Sequence, residues 1–260
     1  MRRNLITTLL LVASAWLHAQ GVEHVMVERY ALTPDPAGGP KPLITYRIYV
    51  DLAPGYTLQM VYGDVHHLLR INTTTDFFND LTNGVRYGYQ VPAEALGHFP
   101  LALDSWLTIG AASDHHLAIP KELDHDGSIL ECPPYADVDP MRHAAAAAAG
   151  VVPICIADGL YADTVKREVV DFKFSTSYMD RIRGSELSSN NGAWAVLGGV
   201  AGATPENMVL IAQLTTTGEI TFELNLQLGD PDHFPVKYVA HDAAPGEVEC
   251  PQLVRTHPAH

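Results

Sequence analysis

The chain has 260 residues, with 30 acidic against 16 basic side chains and a formal charge of −14. So acidic a surface disfavours nucleic acid and anionic membranes as partners, because both would be repelled, and it suits cations. With 47% apolar residues at this length, one large domain can bury a sizeable core.

The first feature in chain order is an address. Arg2 and Arg3 precede an apolar run over 5–17, followed by His18-Ala19-Gln20. A basic start, a short apolar core and a small residue at the cut describe a secretory signal peptide over 1–20, cleaved near Ala19-Gln20. The run is shorter than the roughly 20 residues of a membrane-spanning helix, and no later stretch qualifies. Cleavage removes Arg2 and Arg3 and takes the formal charge from −14 to −16. The expected mature protein is secreted, periplasmic or on the cell surface. Three cysteines remain, Cys132, Cys155 and Cys250. An oxidising compartment permits one bridge among them, in any of three pairings.

Residues 22–32 read as an early or edge strand, and 33–42, with four prolines and two glycines, as a loop. Over 44–52, Tyr46, Ile48 and Val50 alternate with Arg47, Tyr49 and Asp51, the period of a strand. Residues 56–62 follow within hairpin distance, 68–74 form a further strand, and 75–88 read as loop. The strand over 103–111 echoes a later one: Trp106 precedes Gly110 by four positions, as Trp194 precedes Gly198. The echo predicts two strands with similar roles. Residues 113–190 are irregular. They hold an acidic loop, the Cys132-Pro133-Pro134 turn and a six-alanine run over 144–149, which suits a short helix or a linker. Aromatic and β-branched residues favour a strand within 165–174.

The clearest element lies in 190–230. Ile220, Phe222, Leu224, Leu226 and Leu228 alternate with polar residues, while 208–214 is apolar on both faces. Gly218 in the link between them predicts a β-hairpin. Residues 236–240 add one more strand, and the tail from 243 reads as loop. Nine or ten short strands separated by turns predict a mostly β chain, an antiparallel β-sandwich or flattened barrel with an insertion at about 113–190.

Four constellations bear on chemistry. Asp124, Asp126 and Ser128, with Gly127 among them and Glu131 behind, have the alternating oxygen ligands and glycine turn of a small calcium loop. Trp106 and Trp194 are the two tryptophans beyond the leader. They suit either the core or a stacking platform for a glycan, with Asp104 and Asn191 beside them as further ligand contacts. Of 13 histidines, twelve lie beyond the leader, including the pairs His66-His67 and His115-His116. Asp64-Val65-His66 matches the D-x-H opening of a dinuclear metal hydrolase, but the G-D-x-x-D and G-N-H segments that would complete it do not occur, nor does H-E-x-x-H. No G-x-S-x-G marks a nucleophilic serine, no C-x-x-C marks a thiol or zinc site, and the glycines over 198–202 do not match a phosphate loop.

The segments TYRIYVDL (45–52), VYGD (61–64), TTTDFF (73–78), LDSWLTIGA (103–111), NNGAWAVLGG (190–199) and VLIAQLTTTGEITFELNLQ (209–227) together resemble a group of secreted β-rich proteins and repeated modules. That group occurs in Gram-negative bacteria, especially Bacteroidetes-type species. The resemblance covers roughly 22–240 and is weak over 117–178. It implies export and a β fold; the group has no established activity, so it supplies no catalytic residues. The expectation is a non-catalytic secreted module that binds a glycan, an extracellular protein or a structural calcium ion. The alternative is a secreted hydrolase whose Asp, Glu and His residues converge in space.

Overall fold

The computed structural model describes residues 21–35, 38–92, 101–114, 116–123, 160–162, 168–172 and 184–257. The described chain is mostly β, built of antiparallel sheets packed together as a sandwich, with no closed barrel. Its strands are β1 (Val22–Thr33), β2 (Leu43–Leu52), β3 (Thr57–Gly63), β4 (Leu69–Thr73), β5 (Trp106–Leu107), β6 (His116–Ala118), β7 (Leu160–Ala162) and β8 (Val170–Phe172). They continue with β9 (Glu186–Ser189), β10 (Gly192–Val200), β11 (Met208–Thr216), β12 (Ile220–Glu223), β13 (Leu226–Gly229), β14 (Pro235–Val239), β15 (Glu247–Glu249) and β16 (Val254–His257).

The first sheet has the order β1-β2-β11-β5, the second β15-β14-β13-β3-β10-β8, and the third β16-β12-β4-β9, while β6 and β7 form a small ribbon. Strands β14 and β15 pair in parallel; the other strand pairs are antiparallel.

The expected hairpin of β11 with the strand after it does not form. β11 pairs with β2 and β5 in the first sheet. The alternating run breaks in two instead: β12 pairs with β4 and β16, and β13 with β3 and β14. All five apolar side chains of the run are nonetheless buried. Alternation dictates which face a side chain occupies and is silent on which strand lies alongside. Nor do β2 and β3 pair as a hairpin; they belong to different sheets.

Three strands cross from the third sheet to the second at one line. β12 passes into β13 through Leu224-Asn225, β9 into β10 through Asn190-Asn191, and β4 connects to β3 through residues 64–68. Register places these breaks side by side: Gly192 faces Gly63, Leu69 faces Ser189, Glu223 faces Arg70 and Leu226 faces Val61. The two sheets are thus one long surface bent at a shared corner. Asn225, buried at that corner, donates from Nδ2 to the carbonyls of Tyr62, His67 and Leu68 at 3.3, 3.3 and 3.1 Å. Its Oδ1 accepts from the Ala240 amide at 3.2 Å.

The main core lies between the first sheet and this bent surface. Tyr46, Ile48 and Val50 of β2 meet Leu58, Val61, Trp194, Phe222 and Leu226. The opposite face of the first sheet is also buried: Tyr49, Met208 and Leu210 pack with Val91, Trp106, Ala112 and Ala118 from the irregular stretch after β4. That second layer explains why β2 and β11 are apolar or buried on both faces. The two threonine triplets, 73–75 and 215–217, meet beside it. Thr216 Oγ1 lies 2.8 Å from Thr73 Oγ1 and 2.7 Å from Thr75 Oγ1.

Candidate functional site: the outer face of the six-stranded sheet

The residues singled out in the sequence do not come together. Trp106 and Trp194 are 1% and 0% exposed, so neither ring offers a face for a sugar to stack on, and the platform expectation is corrected. Their roles also differ. Trp106 sits in the smaller core outside the first sheet, and Trp194 in the main core, donating from Nε1 to the Thr108 carbonyl at 2.9 Å. The two echoed stretches do meet. Gly110 and Gly198 both have positive φ, 84° and 81°, and a Cβ on Gly110 would lie 2.8 Å from Val200 Cγ1.

Asp104 is fully buried and acts as a staple. Its carboxylate accepts from the amides of Asp80 and Val85 at 2.8 and 2.7 Å, closing the turn between them. Asn191 is exposed at the corner beside Gly63, with its amide bonded to Ser189 Oγ. The calcium loop residues Asp124, Asp126, Ser128 and Glu131 lie outside the described residues, as do Cys132, Cys155 and the leader. Cys250 is a buried free thiol whose pKa burial pushes up. Among the described residues no group of three or more His, Cys, Asp or Glu is placed to hold a metal ion. No helix there is long and apolar enough to cross a membrane.

What the fold does assemble is a row across the outer face of the second sheet. Register runs Glu247, Lys237, Gln227, Met60, Ala195, Val170 from β15 to β8, each facing the next. Residues opposite one another in a ladder share a face. Leu226 and Leu228 are buried inward, so Gln227 between them points outward. Five inter-strand steps of about 4.8 Å make the row roughly 24 Å long. A neighbouring row carries Tyr62, Ala193 and Phe172.

Chemistry changes along this face. At the β15 end it is charged: Lys237 Nζ lies 3.7 Å from Glu247 Oε1 and 3.6 Å from Asp64 Oδ2, and Glu247 Oε2 lies 2.9 Å from His67 Nε2. In the middle are amides, where Gln227 Nε2 donates to Gln59 Oε1 at 2.9 Å. Gln59 reaches the face because the ladder shifts register beside Gln227. At the β8 end the face is apolar, with Phe172 50% and Val170 37% exposed beside two alanines. Next to them the ladder of β10 with β3 opens into a bulge between Ala195 and Val200, on which Leu197 stands 81% exposed.

The charged end is fixed by the corner. Asp64 Oδ1 accepts from the amides of His66 and His67 at 2.9 and 3.0 Å. Burial by itself would raise the Asp64 pKa, but those two amides, then Lys237 and His67, outweigh it and hold the carboxyl below its ordinary range. Glu247 follows the same pattern. Burial raises it, and the Ala244 amide, His67 and Lys237 together bring it below the ordinary value. Tyr62, whose ring lies 5.0 Å from Lys237 Nζ, is pushed well above the phenol range by burial, with Glu247 and Asp64 adding to it.

In the sequence, Asp64 and His66 stand out only as the D-x-H opening of an incomplete metal motif, and His67 only as one of a histidine pair. Gln227, Lys237 and Glu247 come from three consecutive strands and Phe172 from β8, much earlier in the chain, and the ladder register brings them onto one face. No family model, curated protein or solved structure matches the chain.

Proposed function

We propose that this is a secreted, non-catalytic binding module whose ligand is a glycan lying across the outer face of the six-stranded sheet. A sugar ring has an apolar face of C–H groups and a rim of hydroxyls. It is held by an exposed aromatic or aliphatic surface beside fixed donors and acceptors. The observation that carries the reading is the register row, which sets Val170, with Phe172 in the next row on the same face, in line with Gln227 of the amide pair and the Lys237–Glu247 charges. Exposed Phe172 takes the stacking role that the buried tryptophans cannot. Export rests on the leader-like residues 1–20 and on the resemblance to secreted β-rich modules. A calcium ion held by Asp124, Asp126, Ser128 and Glu131 would add local stability, and melting with calcium against chelator tests it.

The test of the main reading is retardation of the purified chain in gels cast with xylan, β-glucan or galactomannan. The expected result is retardation by at least one of them, lost in the Val170→Ser/Phe172→Ser pair. Release of reducing ends from the same polysaccharides, abolished by Glu247→Gln, would overturn it in favour of a hydrolase. So would the absence of retardation by all three.

A further inference from the structure

Gln59 owes its place on the outer face to a β-bulge. In the β13–β3 ladder Gln227 faces Met60 and Leu228 faces Leu58, so Gln59 is one residue in excess on β3. A bulge re-aims a side chain, and here it brings the Gln59 amide to Gln227 while Leu58 and Val61 stay buried inward. Two glycines leave room for that side chain. A Cβ on Gly229 would lie 2.7 Å from Gln59 Nε2, and one on Gly199 would lie 3.1 Å from Gln59 Cγ. The amide therefore sits in a slot shaped for it.

The two amides share one hydrogen bond, from Gln227 Nε2 to Gln59 Oε1 at 2.9 Å. A side-chain amide carries both N–H donors and a carbonyl acceptor, so one bond leaves much of the pair unused. Neither Gln59 Nε2 nor Gln227 Oε1 has a hydrogen-bond partner among the described residues. Both side chains are half-buried, and these two atoms remain open to solvent. A pair that only braced the bulge would need no more than the bond it has. That bond also fixes what is left over: a donor and an acceptor held next to each other, with Met60 and Ala195 beside them in the row.

Two neighbouring hydroxyls on a sugar ring are the complement of such a pair. Each hydroxyl can donate and accept, and the two oxygens lie about a hydrogen bond's length apart. Resting on the glycan reading above, we infer that Gln59 and Gln227 recognise a vicinal diol. Gln59 Nε2 donates to one hydroxyl oxygen, and the neighbouring hydroxyl donates to Gln227 Oε1. This selects glycans whose linkage leaves adjacent ring hydroxyls free, as in xylan and the mannan backbone. It rejects laminarin, in which the linkage leaves no two free ring hydroxyls adjacent on the interior residues.

The experiment takes whichever of xylan, β-glucan and galactomannan retards the wild-type chain and compares it with its O-methylated form and with laminarin. Methylation blocks the neighbouring hydroxyls and keeps the rings and linkages. The wild type should bind the methylated form about tenfold more weakly, from the loss of two neutral hydrogen bonds, and laminarin should not retard it. Gln59→Leu and Gln227→Leu should each weaken binding of the parent polysaccharide about fivefold and narrow its preference over the methylated form. A purely structural pair would weaken both forms alike and keep the preference. Equal retardation of the wild type by parent and methylated polysaccharide, equal retardation by laminarin, or a preference unchanged in both variants would overturn the diol inference and leave the glycan reading standing. The wild-type comparison stands even if a variant fails to fold. Retardation by none of the three polysaccharides would overturn both.

Discussion

Replacing Asn225 tests whether the bend in the sheet is held by one side chain. Asn225 is 1% exposed, and its amide serves three carbonyls from residues 62–68 and the Ala240 N–H. Asn225→Ala removes four contacts of 3.1–3.3 Å. Two N–H donors spread over three acceptors amount to about two full bonds, and the Ala240 amide adds a third. At about 1 kcal/mol for each net bond, with part of the penalty for unpaired buried backbone groups, the loss is about 3–4 kcal/mol. For a domain of this size that lowers the melting temperature by about 6–16 °C. Urea unfolding at pH 7 measures the free energy. Asn225→Asp should cost at least as much there, because its ionised carboxylate would face three carbonyl oxygens, and part of that cost should vanish when acid protonates it. A loss below about 0.5 kcal/mol for Asn225→Ala would refute the corner argument, since surface-like substitutions lie in that range.

Other consequences follow from the same geometry. Asp64 and Glu247 have folded pKa values below their ordinary ones. Their contribution is therefore present above the unfolded carboxylate range of about pH 4 and is lost as pH falls through the lower folded values. The gap in urea midpoint between wild type and Glu247→Gln should be wide at pH 7 and narrow in strong acid; a gap constant with pH would contradict this. Iodide should barely quench the tryptophan fluorescence of a chain lacking residues 1–20, because Trp106 and Trp194 are sealed in separate cores. Quenching like that of free tryptophan would show an open ring. Gly198→Ala and Gly199→Ala both place a Cβ on a positive φ, at about 1–2 kcal/mol. Gly199→Ala should cost more, since its Cβ meets Thr57 Oγ1 at 2.8 Å while the space around Gly198 is open. Equal losses in thermal melts would count against the packing described.

Much of the fold was legible as faces and little of it as neighbours. The run from Ile220 to Leu228 keeps its period through Leu224-Asn225 because the core lies on the same side throughout. Yet the partners change at that step, and no local signal marks it except a polar residue that turns out to be buried. Arg47 and Tyr49, which alternate with the core-facing residues of β2, are buried as well: Tyr49 packs with Val91 and Trp106, and Arg47 donates to Gln213 and lies over the Tyr30 ring. Asp104 drew attention as an acid beside a tryptophan. Its ligands are backbone amides of a turn some twenty residues earlier, a long-range pairing that spacing does not reveal. The binding face was illegible for the same reason. Val170, Gln227 and Lys237 are ordinary strand residues until register sets them in one line.

The central claim is that this line is the contact surface, and hydrogen–deuterium exchange with and without the retained polysaccharide tests it most directly. The account predicts slower exchange at amides of β8, β10 and β3 around Val170, Ala195 and Met60, with β1 and β2 unchanged. Protection confined to the first sheet, or no protection on the outer face of the six-stranded sheet while the polysaccharide is bound, would contradict it.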